Sequence, residues 1–320
     1  MVNLPFVSVL VPAFNEEEFI NECLLQLRNQ DYPSSSYEII VMDNGSKDST
    51  VDICKSHGVN VIDASGRLIG GVRNLGAKHA QGEVLAYIDA DCIASTDWIS
   101  NGVTTLLSDK SLGALGGGFG VRADASWVEK AWVISEFDDD FISSDILATG
   151  SFFIKKEIFI KVGGFNEKIK AGEDTEISRS LLKHGFSLAL TKSVNVIHLG
   201  YPRTLGKFFI RQFWQSSDYL RTRKKGFDAV FSVTLIFIFL FFMALASLLL
   251  GTYFYILFFI GGISCSSVLA VYRFKKSRHR LDVFLFLKVF FLNYLYLVAR
   301  SGGLLRSIFS ELKSFFVQRL

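Results

Sequence analysis

The chain has 320 residues, half of them hydrophobic, with a mean hydropathy of +0.33. That is too apolar for an ordinary soluble domain, and it excludes disorder and fibrous repeats. Charge is divided along the chain: residues 1–200 carry 17 Lys/Arg against 27 Asp/Glu, whereas residues 201–320 carry 17 against four, together with 20 of the 31 Phe. A uniformly basic protein would suggest nucleic acid, but here the positive charge flanks apolar segments, which points to anionic lipid headgroups and no nucleic-acid partner. Four scattered cysteines without a Cys-x-x-Cys pair argue against a disulfide framework or a structural zinc site and fit a reducing compartment.

From the N-terminus, strand-like apolar runs alternate with helical patterns: 7–11 then 16–28, 38–42 then 48–56, 59–62 then 71–80, 84–88 then 96–107. This βαβα alternation predicts an α/β domain with a mainly parallel, Rossmann-like sheet. Ligands in such sheets sit beyond the carboxyl ends of the strands, where Asn15, Glu16, Asp43 to Ser46, Asp89 and Asp91 cluster. No Gly-x-Gly-x-x-Gly follows the first strand and no Walker loop occurs, so phosphates need another counter-charge. The glycines at 113, 116, 117, 118 and 120 are read as sites of close backbone packing or as a flexible strand edge. Asp89-Ala90-Asp91 closes a strand; two carboxylates there suit a hard divalent cation bridging a diphosphate, and a solvated turn is the alternative. The first 16 residues lack the basic start of a signal peptide.

The C-terminal part reads differently. Residues 229–272 contain no Asp, Glu, Lys, Arg or His, a length of roughly 66 Å as a helix, about twice a hydrocarbon core. Two spans near 229–250 and 253–272, reversing at Gly251 and Thr252, use that length. Basic residues at 221–225 and 273–280 place both outer flanks on the cytoplasmic side. The next segment, 281–298, is apolar but interrupted by Asp282, Lys288 and Asn293. It reads as a third span or an interfacial helix, and a third span would carry Arg306, Lys313 and Arg319 outside against the charge rule. A surface or re-entrant element is therefore the preferred expectation. Residues 205–223 mix aromatic with basic residues and are expected to form an amphipathic helix at the membrane surface.

The motifs Val7 to Glu16, Asp43-Asn44-Gly45-Ser46-Lys47-Asp48-Ser49-Thr50, Arg73-Asn74-x-Gly76, Gly82-Glu83, Asp89-x-Asp91, Gly163-Gly164-Phe165-Asn166-Glu167 and Gly172-Glu173-Asp174 follow in order over roughly residues 5–200. In this series the chain resembles the family 2 glycosyltransferases of GT-A fold (the nucleotide-diphospho-sugar transferase fold), and its C-terminal hairpin resembles that of membrane-attached members that build polysaccharides or glycolipids. The resemblance implies nucleotide-sugar binding at Pro12, Ala13, Asn15, Glu16, Asp43, Arg73 and Asp89. It implies Mg or Mn at Asp89, Asp91 and His198, an ordinary loop histidine being the alternative for His198. Asp174 resembles the base that deprotonates the acceptor in an inverting transfer, with Glu173 binding or positioning the acceptor; the alternative is that these acids complement a helix macrodipole.

Two departures qualify the match. Asp-Asn-Gly-Ser replaces the more usual Asp-Asp-Gly-Ser, which removes a charge, and the Gln-x-x-Arg-Trp signature of processive synthases is missing. The expectation is a membrane-anchored, single-sugar, inverting transferase, UDP-sugars favoured, acting on a lipid-linked or glycan acceptor with its catalytic domain cytoplasmic. A polyprenyl-phosphate sugar transferase and an inactive nucleotide-sugar-binding membrane protein are the alternatives. The expected domains are a transferase domain at 1–203, an amphipathic segment at 204–226, a membrane hairpin at 227–274, and at 275–320 a basic loop, the third apolar element and a tail.

Overall fold

The structure, a computed structural model, describes residues 4–134, 141–217, 229–277 and 282–317. The expected basic flanks at 221–225, 278 and 280 lie outside the described residues. Two compact units emerge, residues 1–122 with 137–200, and residues 123–136 with 201–320.

The elements of the first unit begin with β1 (Val7–Ala13), α1 (Ile20–Arg28), β2 (Tyr37–Asp43), α2 (Thr50–Ser56), β3 (Asn60–Asp63), α3 (Ile69–His79) and β4 (Val84–Ile88). Then come β5 (Cys92–Ala94), α4 (Trp98–Ser108), β6 (Leu112–Gly116) and β7 (Phe119–Gly120). After α5 (Trp127–Trp132), which belongs to the second unit, the first unit resumes with β8 (Phe141–Ser143), β9 (Ser151–Lys155), α6 (Lys156–Lys161), α7 (Glu173–Lys183), β10 (Ser187–Thr191) and β11 (Val196–His198).

Eight strands form one sheet in the order β3-β2-β1-β4-β9-β6-β10-β8. The β3-β2-β1-β4 half is parallel throughout, as the βα alternation predicts. The other half is mixed, because β9 pairs antiparallel with both β4 and β6. Every residue of β1 and β4 is buried, as expected of strands covered on both faces. Along β1 the side chains alternate between two cores: Val7, Val9 and Val11 join Leu24, Trp98 and Phe153, whereas Leu10 joins Tyr87, Phe152 and Phe159.

A second, three-stranded sheet has the order β5-β11-β7. In it β11 runs antiparallel to β5 with His198 opposite Cys92, which returns the chain to the end of β4 after more than a hundred residues. Gly117 makes the close approach possible, since a Cβ there would collide with the Val194 carbonyl. The expectation of tight backbone packing in this glycine cluster holds at that position.

In the second unit, α5 is joined by α8 (Leu205–Ser217), α9 (Ala229–Leu249), α10 (Tyr255–Ser277) and α11 (Val283–Val317). Helices α9 and α10 reverse at Gly251 (φ +65°), where Thr252 donates its N–H to the Ser247 carbonyl. The third apolar element, α11, is one unbroken helix of 35 residues, a form open to a surface helix and to a third span alike. Among the described residues, three helices are long and apolar enough to cross a membrane by length and composition.

Candidate active site

The first strand ends in Pro12 and Ala13, buried in register with Met42 and Asp43 of β2. The loops that follow hold one another. Asn15 donates its N–H to Ser46 Oγ (2.8 Å) while its own Oδ1 accepts from Lys47 N–H (2.9 Å), and Glu16 N–H donates to Thr50 Oγ1 (2.7 Å). Asn15 also carries the one positive φ (+57°) among the described non-glycine residues, which its short polar side chain tolerates. Asp43, buried at the end of β2, accepts from the Gly45 and Ser46 amides and so shapes its own turn. These reciprocal bonds explain why the Asn-Glu and Asp-Asn-Gly-Ser motifs occur together: each satisfies the other's backbone.

Behind this rim lies a concentration of negative charge. Burial pushes Glu16 up to about 7, with Asp91, Asp89, Asp48 and Glu18 each adding repulsion. Asp91 Oδ2 lies 3.3 Å from His198 Nε2, both side chains mostly buried. Asp91, Cys92 and His198 each offer a ligand atom within 4.8 Å of the others. Cys92, fully buried, has its thiol pushed well up, first by desolvation and then by Asp89 and Asp91, so it stays protonated and is a poor ligand for a hard cation. A carboxylate oxygen and an imidazole nitrogen at this spacing fit Mn or Mg, and the surrounding acids add attraction.

Asp89 stands slightly apart from that group. Its Oδ1 receives Arg73 Nη2 at 3.1 Å, and Arg73 Nη1 reaches Glu173 Oε1 at 2.7 Å. The Arg73 side chain is only 5% exposed, so its charge is divided between two carboxylates instead of being open to solvent. As placed, Arg73 couples the end of β4 to the first turn of α7. Its neighbour Asn74 does comparable work on the other side: its amide donates to the Phe165 carbonyl (2.9 Å) and to Glu167 Oε1 (2.8 Å), and its Oδ1 accepts from Phe165 N–H. The Arg-Asn pair on α3 thereby fastens both the Gly-Gly-Phe-Asn-Glu loop and the Glu-Asp helix start.

Helix α7 begins at Glu173, so Glu173 and Asp174 both occupy its first turn. Asp174 is half-buried; its Oδ1 accepts from Thr175 N–H at 2.6 Å. Glu176, in the same first turn, has a buried Oε2 with no hydrogen-bond partner. One residue passed over in the sequence belongs to this region: Gly150 faces Asp89, whose Oδ2 would lie 2.7 Å from an added Cβ, so only glycine lets that carboxylate settle here. It carries no sequence signal, because its place depends on β9 being inserted beside β4.

Residues 8–166 match the profile of glycosyl transferase family 2. The chain is 28% identical over 220 residues to the glycosyltransferase AglE of Haloferax volcanii, covering 66% of this chain and 71% of that protein. It is 29% identical over 234 residues to the dolichyl N-acetyl-alpha-D-glucosaminyl phosphate 3-beta-D-2,3-diacetamido-2,3-dideoxy-beta-D-glucuronosyltransferase of Methanococcus voltae, covering 65% and 70%. Among solved structures, the mannosyltransferase PcManGT of Pyrobaculum calidifontis, in complex with GDP-Man and Mn2+, superposes with a TM-score of 0.58 at 19% identity over 95% of this chain and 88% of that one. A GT-A fold, the ordered motifs and the acidic crevice agree with these likenesses, and the chain belongs to glycosyl transferase family 2 and is a glycosyltransferase.

Proposed function

We propose that the protein is a membrane-anchored, inverting transferase that moves one sugar from a nucleotide-sugar, UDP-linked by preference, to a lipid-linked acceptor at the cytoplasmic membrane face. The observation that carries this reading is the convergence of Glu16, Asp89, Asp91 and His198 beyond the ends of β1 and β4. So many acids at one strand edge are stable only with a counter-charge, and a cation together with a diphosphate supplies one. A relative named for a dolichyl phosphate substrate and helices apolar enough to span a membrane support the lipid-linked acceptor.

In this reading Asp91 and His198 hold a divalent cation with Asp89 beside them, and the cation neutralises charge developing on the departing nucleotide diphosphate. Pro12, Ala13, Asn15 and Asp43 receive the nucleoside. Arg73 holds Asp89 and Glu173 in position. Asp174 accepts the proton of the acceptor hydroxyl, and Glu173 orients that acceptor from the same helical turn. A bound Mn2+ in a structural neighbour supports a cation requirement without choosing between Mn and Mg.

The test is to incubate membranes containing the protein with radiolabelled UDP- and GDP-sugars plus Mn2+ or Mg2+ and follow label into organic-extractable lipid. Asp174→Asn is expected to lower turnover by about 10²–10⁴-fold while donor binding survives. Unchanged lipid labelling in that variant would remove Asp174 from its role. Unlabelled lipid with every donor and a competent lipid extract would favour the sugar-binding alternative.

A further inference from the structure

Asp91 and His198 lie more than a hundred residues apart in the chain and meet through backbone bonds. Leu199 N–H donates to the Asp91 carbonyl at 2.7 Å, and His198 stands opposite Cys92 across the β5-β11 pairing. These bonds fix the backbone but leave the side chains free to turn: an imidazole and a carboxylate each keep two torsions. Yet Nε2 of His198 and Oδ2 of Asp91 face one another at 3.3 Å, with the side chains 14% and 20% exposed. Two residues outside the set of candidate ligands account for that aim.

The first is Phe119. It lies on β7, which runs parallel to β11 with Phe119 opposite Val196, so Phe119, Val196 and His198 share one face of the small sheet. The phenyl and imidazole ring centres are 5.9 Å apart with their planes at 75°, an edge contact of the kind aromatic rings favour. The phenyl ring also rests on Gly150, where a Cβ would lie 2.7 Å from its Cε1 and equally near Asp89 Oδ2. Strand β7 is itself tied down, since Val196 N–H donates to the Gly118 carbonyl and Gly117 N–H to the Ser151 carbonyl, both at 3.0 Å. A phenyl ring has no hydrogen-bonding atom, so it restrains the imidazole without competing for either ring nitrogen.

The second is Gly200. An added Cβ would collide with Asp91 Oδ2 and lie 3.0 Å from His198 Cε1. The backbone at Gly200 is outside the left-handed region, so conformation does not call for glycine there; space does. The atom in the way is the same oxygen that faces His198 Nε2. Any side chain at position 200 would turn that oxygen away from the imidazole.

We propose that Phe119 and Gly200 are positioning residues for the cation: Phe119 fixes the His198 imidazole, and Gly200 leaves the space in which Asp91 Oδ2 faces it. This assignment rests on the cation reading of the site proposed above and adds what sets the spacing of the ligands. Ligands aimed in advance lose less freedom when the metal arrives, and removing the neighbours that orient them typically weakens metal binding by about 10–100-fold.

The full chain in mild detergent would be titrated with Mn2+ in the presence of UDP or GDP, with free Mn2+ read from its electron paramagnetic resonance signal and a coordinated nitrogen from spin-echo modulation. Wild type should show saturable binding with a nitrogen coupling that His198→Ala abolishes. Phe119→Leu keeps apolar bulk without the flat ring; it should weaken Mn2+ binding about tenfold and diminish the nitrogen coupling. Gly200→Ala should weaken binding by up to about 100-fold, since it displaces a ligand oxygen directly. Wild-type affinity and coupling in both variants, each folded by its unfolding midpoint, would overturn the inference and leave the cation site standing. Weakened affinity with an unchanged nitrogen coupling in Phe119→Leu would remove that residue from its role. No nitrogen coupling in wild type with either nucleotide would overturn the assignment of His198, and this inference with it. If Phe119→Leu does not fold, Gly200→Ala carries the comparison, because its added methyl has side-chain atoms of Asp91 and His198 as nearest neighbours. None of these measurements needs turnover, so an inactive enzyme leaves the outcome readable.

Discussion

The two units use charge in opposite ways. In the first, Arg73 is matched by Asp89 and Glu173, and Asn74, Asp43 and Asn15 satisfy neighbouring loops, while an excess of negative charge remains around Glu16, Asp89 and Asp91. In the second, the described ion pairs are confined to Arg203 with Asp124 and Glu129, and Arg300 and Arg306 face aromatic rings instead of acids. In the proposed membrane-anchored reading, the apolar faces of the second unit would meet acyl chains and its basic residues lipid phosphate.

The sharpest way to break this contrast is Arg73→Met. Removing the shared cation strands two carboxylates in a poorly solvated site and should cost about 3–5 kcal/mol, nearer the lower end because Asp89 is about a third exposed. Denaturant unfolding of the purified protein measures it, and a loss below about 1 kcal/mol would mean the bridge is not a support.

A smaller effect separates the acidic crevice from the rest of the first unit. With its carboxyl raised from 4.5 to about 7, Glu16 binds its proton more tightly in the folded state. Its contribution is therefore fully present below about pH 4.5 and is lost as pH rises through 7. Glu16→Gln should flatten that decline in unfolding midpoint by a few degrees. Added Mn2+, by favouring the ionised form, should shift the wild-type decline toward lower pH. An identical pH profile in wild type and variant would show that Glu16 is not in the crevice field.

The smallest expected change lies on the other side of the comparison. Trp214 is 74% exposed on α8, and Trp214→Ala should alter stability by no more than about 0.5 kcal/mol while weakening association of the second unit with anionic vesicles. Loss of folding would instead make Trp214 a core residue.

Legibility in the sequence follows the range of the interactions. Strand β4 was read at its observed limits, and β1 to β3 and α1 to α4 within a few residues, because hydrophobic periodicity is local and each strand is followed closely by its helix. The reading faded after α4. Strand β9 inserts between β4 and β6, so its role is defined by partners 60 residues upstream and nearly 40 upstream respectively. Asp89 and Asp91 could be singled out from spacing at a strand end, but nothing near Arg73 foretells that its charge is divided between two acids. The two helices of the hairpin were likewise legible from 44 uncharged residues, whereas the unbroken length of α11 was not.

The sequence by itself determined that an acidic α/β domain precedes a basic, apolar helical region, since composition and period are properties of contiguous residues. Only the tertiary structure decided that His198 stands beside Asp91 and that Arg73 joins two distant acids. Those facts depend on pairings between segments many residues apart, where steric fit and the matching of buried charge select one arrangement from many that the same local pattern allows.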